Sequence, residues 1–279
     1  MTKKEEIIIM DFSGIYRQQQ FWQTGEVQRE KISWVEVQEL PGSNCYCDED
    51  AMNILREKLK DFKSEGIHFI DSGNYHYMSR IWLEKVQRPF RLIVFDNHTD
   101  MQPPAFGGLL SCGGWIAASL EELPLLEEVF LIGPDEEAFE QTEPGLRGKI
   151  RFLSRERLSR MTLEEKCAFF ETAKTELPVY ISVDKDVLCT QDASTTWSQG
   201  DMKLEELCRF IRIFLDKQQI LGMDVCGECD PDACDGDHLN DRANQELLRI
   251  WESFEVCRQN SDQTETLEDG PAEKGEISL

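Results

Sequence analysis

The apolar run Leu92-Ile93-Val94-Phe95 leads directly into Asp96, His98 and Asp100, which place an acid, an imidazole and a second acid at alternate positions. In extended backbone such positions project to one side. Each group is costly to bury unless it is paired, hydrogen-bonded or bound to a cation. Side by side, they must share a cation or repel one another. The run Val179–Val183 ends in the same manner, with Asp184 and Asp186 two residues apart, and the run at 66–71 is followed closely by His76. If these three ends are neighbours, one cation cannot satisfy His76, Asp96, His98, Asp100, Asp184 and Asp186, whereas two divalent ions bridged by shared carboxylates can. Oxygen-rich ligation with one imidazole per ion favours two manganese ions over zinc. Such a pair would lower the pKa of a shared water and supply a nucleophile at neutral pH. A fourth run, 220–225, carries Asp224 and leads into Glu228, Asp230 and Asp232.

The elements that must position these groups are short apolar runs alternating with helical patterns. Strands are predicted at 5–12, 66–71, 91–96, 128–133, 149–154, 179–184 and 220–225. Most are continuously apolar, as expected when helices cover both faces of a parallel sheet. Between them, Met52, Leu55, Leu59 and Phe62 share one helical face, as do Leu204, Leu207, Ile211 and Leu215. The alternation predicts an α/β sandwich built from crossover connections. In open parallel sheets ligands bind beyond the carboxyl ends of the strands, where these acids gather. A single domain over 1–257 is the economical partition. From residue 258 apolar content and periodicity fade, which predicts a flexible acidic tail over 258–279.

Asp plus Glu number 54 against 30 for Lys plus Arg, a formal charge of -24. That balance argues against nucleic acid or an acidic membrane surface as partner and would attract a small cationic substrate. No apolar stretch reaches membrane-spanning length, and no signal peptide is visible, so the 10 cysteines read as reduced thiols in the cytoplasm. A structural zinc site needs more than the lone Cys226-x-x-Cys229 pair. The acidic stretch from Asp230 fails as a calcium loop, because Cys234 and Asp235 fall where an acid and a glycine are required. His68, inside its apolar run, is assigned to packing.

These segments resemble motifs of the arginase/agmatinase (ureohydrolase) family. Asp96–Asp100 is similar to that family's DAHxD, Ser182–Asp186 to the opening of SxDxDxxDP, Gly73–Tyr77 occupies the place of GGDHS, and Glu228–Pro231 resembles the ExNP-type segment. The resemblance implies a three-layer α/β/α sandwich with a mainly parallel sheet. It implies one manganese held by His76, Asp96, Asp100 and Asp184, and a second held by Asp96, His98, Asp184 and Asp186. It places Glu228 where the family's carboxylate holds the substrate guanidinium, with Asp230 as a nearby rival. The implied chemistry is hydrolysis of a C–N bond in a guanidino or related cationic compound by a metal-bridging hydroxide, in a chain that often forms homo-oligomers. The sequence departs from the family where GGDHS loses its acid, where DP after the second motif is replaced, and where Ser111–Ala118 contains no histidine. An amide deacetylase with a single zinc, or a non-catalytic metal-binding member, are the competing readings. His76 and Asp100 separate them, since a one-metal site has no use for either.

Overall fold

The computed structural model describes residues 6–23, 32–103, 108–173, 176–232 and 237–268. The described strands are β1 (Glu6–Asp11), β2 (Ile32–Glu36), β3 (Tyr46–Cys47), β4 (Gly66–Phe69), β5 (Phe90–Phe95), β6 (Leu110–Ser111), β7 (Leu126–Ile132), β8 (Ile150–Leu153), β9 (Val179–Asp184) and β10 (Ile220–Cys226). The described helices are α1 (Glu49–Leu59), α2 (Met78–Leu83), α3 (Trp115–Glu122), α4 (Glu136–Glu140), α5 (Pro144–Arg147), α6 (Arg155–Ser159), α7 (Leu163–Thr172), α8 (Leu204–Lys217) and α9 (Asp237–Glu268).

Successive residues of a strand face opposite sides of its sheet, and that alternation builds two cores. Ile93 and Phe95 of β5 join Ile181 and Val183 of β9 in a core closed by Phe170 of α7, Phe214 of α8 and Trp251 of α9. Leu92 and Val94 face the other way, into a core closed by Leu55 of α1, Trp82 of α2 and Ile116 of α3. The result is the three-layer α/β/α arrangement. All seven predicted strands are present in an eight-stranded sheet of order β2-β1-β4-β10-β9-β5-β7-β8, with every neighbouring pair parallel. The additional strand, β2, lies at the sheet's edge, where Ile32, Ser33 and Trp34 are half-buried and Glu36 is exposed, so it lacks the continuous apolar signature of the others.

Local sequence fixes the helix ends. The Asp48 carboxylate accepts from the Ala51 amide at the start of α1, and Thr162 with Glu165 forms a reciprocal capping box on α7. His68 packs as expected: its ring stacks on Trp82 with centroids 3.8 Å apart, and burial pushes its pKa down to about 3. Helix α9 carries the chain beyond residue 257, where composition sets the domain's end, to Glu268. The rest of the predicted tail lies outside the described residues. No described helix is long and apolar enough to cross a membrane. Among the described residues, Cys229 departs from the all-thiol expectation. Cys229 is disulfide-bonded, while Cys45, Cys47, Cys112, Cys167, Cys189, Cys208, Cys226 and Cys257 are free. Cys229 lies just beyond β10, and spacing in the sequence cannot supply the proximity that closes a disulfide.

The close of β7 supports the strand-end acids. Gly133, at φ 120°, sits against the Asp96 backbone, and a Cβ there would lie 2.1 Å from the Asp96 carbonyl oxygen. Gly133→Ala is therefore expected to lower stability by about 1–3 kcal/mol through overpacking, read as a lower urea midpoint. Gly148, whose added Cβ would meet nothing within 4 Å, serves as control. An unchanged midpoint for Gly133→Ala would show that this contact positions nothing.

Candidate metal centre

Topology assembles the site. Strands β9 and β10 are inserted between β4 and β5, so the carboxyl end of β9 lies beside that of β5. His76 comes from the short helical turn after β4, two strands away, and reaches back into the same crevice. Its Nδ1 lies 3.0 Å from Asp100 Oδ2, 3.2 Å from Asp96 Oδ2 and 3.5 Å from Asp184 Oδ2. His98 Nδ1 lies 2.7 Å from Asp186 Oδ2 and 3.6 Å from Asp96 Oδ1. The structure thus brings together all six candidate ligands, in two sets that share Asp96.

Backbone amides aim the carboxylates. Asp96 Oδ1 accepts from the His98 amide, Asp184 Oδ1 from the Asp186 amide and Asp186 Oδ1 from the Asn97 amide. Each Oδ2 is thereby left facing an imidazole. Asp100 adopts φ 47°, a left-handed conformation uncommon for a non-glycine residue, and its Oδ2 accepts from the Trp115 indole at 2.7 Å. His76 Nδ1 and Asp96 Oδ2 are buried with no hydrogen-bond partner. Orphaned buried polar atoms are costly, and these two converge where a cation would sit. The residues present fit a pair of divalent ions: hard carboxylate oxygens with one imidazole in each set.

The outer nitrogens are also held. His76 Nε2 lies 3.0 Å from Ser182 Oγ, which donates to Asp224 Oδ1 at 2.7 Å. This relay holds the His76 ring through its far nitrogen, as commonly orients a ligand imidazole. The sequence hinted at it through an acid inside an otherwise apolar strand, but the parallel register that sets Asp224 beside Ser182 was not legible there. His98 Nε2 lies 2.9 Å from Ser198 Oγ, a partner supplied by a distant loop. Above the ligands opens a cleft of about 230 Å³ lined by Tyr46, His98, Asp100, Cys112, Asp186 and Trp197 among others.

Glu228 and Asp230 do not join this cleft. Glu228 is completely buried, and its Oε1 accepts from Lys185 Nζ and, at 2.7 Å, from Asn244 Nδ2. Its Oε2 accepts from Gln19 Nε2 at 2.7 Å. Lys185, equally buried, sits between the ligands Asp184 and Asp186 and also donates to Asn244 Oδ1 at 3.0 Å. The carboxylate expected to receive a substrate cation is thus ion-paired with the Lys185 ammonium in this structure, and Glu228 stays a candidate for that role. Asp230 is exposed on the loop after β10, where its Oδ1 accepts from the Asp232 amide. Sequence reasoning missed Lys185, whose charge lies between two acids; its distant partner was not legible there.

A family model, the arginase family, matches residues 15–249. The chain is 31% identical over 233 residues to an uncharacterized protein from Thermotoga maritima, covering 81% of this chain and 80% of that one. It belongs to the arginase family. Among solved structures it is similar to formimidoylglutamase from Bacillus subtilis, with TM-score 0.68 and 13% identity over 92% of this chain and 89% of that one. It is likewise similar to proclavaminate amidino hydrolase from Streptomyces clavuligerus, with TM-score 0.66 and 17% identity over 88% and 90% of the two chains.

The electrostatics yield a test on metal-free protein. Burial, then the charges of Asp186 and Asp96, push Asp184 up from 3.8 to about 7. Burial and Asp96 push Asp186 up to about 6. A raised carboxyl pKa means that the folded chain holds a proton the unfolded chain has released, so stability falls as pH rises between 3.8 and about 7. Burial acts to lower His98, but hydrogen bonds to Asp186 and Asp96 outweigh it and raise it from 6.5 to about 11. Its contribution is full below pH 6.5 and is lost as pH rises toward 11, the same sign as for the acids. Chelator-treated protein should therefore have a higher melting temperature at pH 5 than at pH 8, and divalent ions should restore most stability at pH 8. A metal-free melting temperature that rises over this interval would contradict the crowded-carboxylate account.

Proposed function

We propose that the chain is a hydrolase of C–N bonds in a small guanidino or related cationic compound, working with two divalent ions. The observation that carries the reading is that two candidate ligand sets, one buried and one with a half-buried imidazole, meet at Asp96, with His76 and His98 on either side. His76, Asp96, Asp100 and Asp184 would hold one ion and Asp96, His98, Asp184 and Asp186 the other, manganese being the ion such oxygen-rich sets suit. When bound, the ions supply Lewis acidity and a water of lowered pKa. The chain's own residues hold the geometry: backbone amides pin the carboxylates, and the Ser182–Asp224 relay fixes the His76 ring. Tyr46 and Trp197, 39% and 42% exposed at the cleft, offer aromatic faces to a cation. Membership of the arginase family and the likeness to proteins named amidino hydrolase and formimidoylglutamase support this reaction class.

A second reading rests on the Lys185–Glu228 pair. With Glu228 neutralised, a substrate lacking a cation at the reacting end, such as an amide, gains ground. A single zinc held by Asp96, His98 and Asp186 would be the matching centre.

The test is elemental analysis with a substrate panel of guanidino compounds, polyamine derivatives and acyl-amines. Manganese-loaded protein should hold close to two ions per chain, and Asp184→Ala should lose both because that residue enters both sets. Asp224→Asn should keep both with affinity reduced roughly 10- to 100-fold. Turnover of guanidino compounds and not of acyl-amines is expected. One tightly held zinc, insensitive to Asp100→Ala and coupled to acyl-amine turnover, would overturn the leading reading in favour of the second.

A further inference from the structure

We infer that Cys226 is an additional ligand of the ion held by His76, giving that position a thiolate that its neighbour lacks. The inference rests on the two-ion reading above and goes beyond it. Register carries it first. Cys226, the last residue of β10, pairs across the sheet with Asp184, the last residue of β9. Its Sγ lies 3.2 Å from Asp184 Oδ2, the oxygen that is itself 3.5 Å from His76 Nδ1. The ligand atoms of His76, Asp184 and Cys226 all lie within 4.8 Å of one another, and all three residues are buried.

A buried cysteine is by default a small apolar filler. Here the surroundings point to a cation instead. His76 Nδ1 and Asp96 Oδ2, each on a residue 1% exposed, are aimed into the same space without hydrogen-bond partners. The chain then turns away at Gly227, φ 91°, where a Cβ would lie 2.4 Å from Asp184 Oδ1. That turn leaves the sulfur and the carboxylate side by side.

On binding, the S–H bond breaks, a sulfur–metal bond forms and the proton leaves to solvent, so the ligand set gains one negative charge. The two positions then differ in kind. Sulfur beside His76 favours a softer ion such as zinc, cobalt(II) or iron(II), while the oxygen and imidazole set around His98 still suits manganese. The centre so described holds two unlike ions.

Cobalt(II) loading of the full-length protein tests this. Visible ligand-field bands report that cobalt is bound, and a near-ultraviolet sulfur-to-cobalt charge-transfer band reports a thiolate ligand. The expected result is both bands in the wild-type chain, with the charge-transfer band lost in Cys226→Ser while the ligand-field bands persist. Cys45→Ser/Cys112→Ser, which removes the two thiols lining the cleft, should leave the charge-transfer band in place. Bound cobalt without that band, or a band abolished by the Cys45/Cys112 change, would overturn the inference and leave the metal centre standing. No cobalt binding would overturn both. Should Cys226→Ser fail to fold, X-ray absorption of the zinc-loaded wild type decides. A sulfur scatterer at about 2.3 Å supports the assignment, and only nitrogen and oxygen at about 2.0–2.2 Å refutes it.

Discussion

Repulsion among buried carboxylates at the ends of β5 and β9 is the constraint on which the site depends. Asp96, Asp100, Asp184 and Asp186 are all buried within one crevice. Two like charges about 4 Å apart cost on the order of 4 kcal/mol at the effective dielectric of a protein. A whole domain is stable by only about 5–15 kcal/mol. Several such pairs, ionised and uncompensated, would consume that margin. Two imidazoles offset part of the charge, and burial with mutual repulsion pushes Asp184 and Asp186 upward. Neither device gives His76 Nδ1 or Asp96 Oδ2 a hydrogen bond. Bound cations would resolve all three problems at once.

The fold creates this crowding deliberately in one place. Chain order would set β5 beside β4, but β9 and β10 are inserted between them. That insertion places the acids of β9 against those of β5 and sets Ser182, Asp224 and Cys226 beneath His76. The two hydrophobic cores hold the strands rigid on both faces. A single layer of helices would leave one strand face wet and allow the ligand oxygens to relax outward.

The sheet and the gathering of the six candidate ligands were legible because their signals are local. Continuous apolar runs mark buried parallel strands, and alternation after Phe95 and Val183 marks groups on one face. What the sequence did not disclose depends on contacts between distant segments. The Ser182–Asp224 relay and the Cys226–Asp184 approach are products of register between β9 and β10. The edge strand β2 was hidden by its mixed polarity. The surroundings of Glu228 were hidden for the same reason: Gln19, Lys185 and Asn244, far apart in the chain, converge on it. A motif can name the carboxylate but not the partner that has already taken it.

The Lys185–Glu228 pair distinguishes the substrate side of the site from its metal side. A buried carboxylate left alone would strongly attract a guanidinium; one paired with an ammonium and two amide groups is satisfied. Under the proposed function, recognition would fall to the cleft above the candidate ligands. The metal-side claim is tested most directly by anomalous diffraction from crystals grown with divalent ions. The account predicts two anomalous peaks roughly 3.5–4 Å apart, one beside His76 and one beside His98, with Asp96 and Asp184 between them. A single peak, or an empty crevice at saturating metal with the carboxylates paired only to the two histidines, would contradict it.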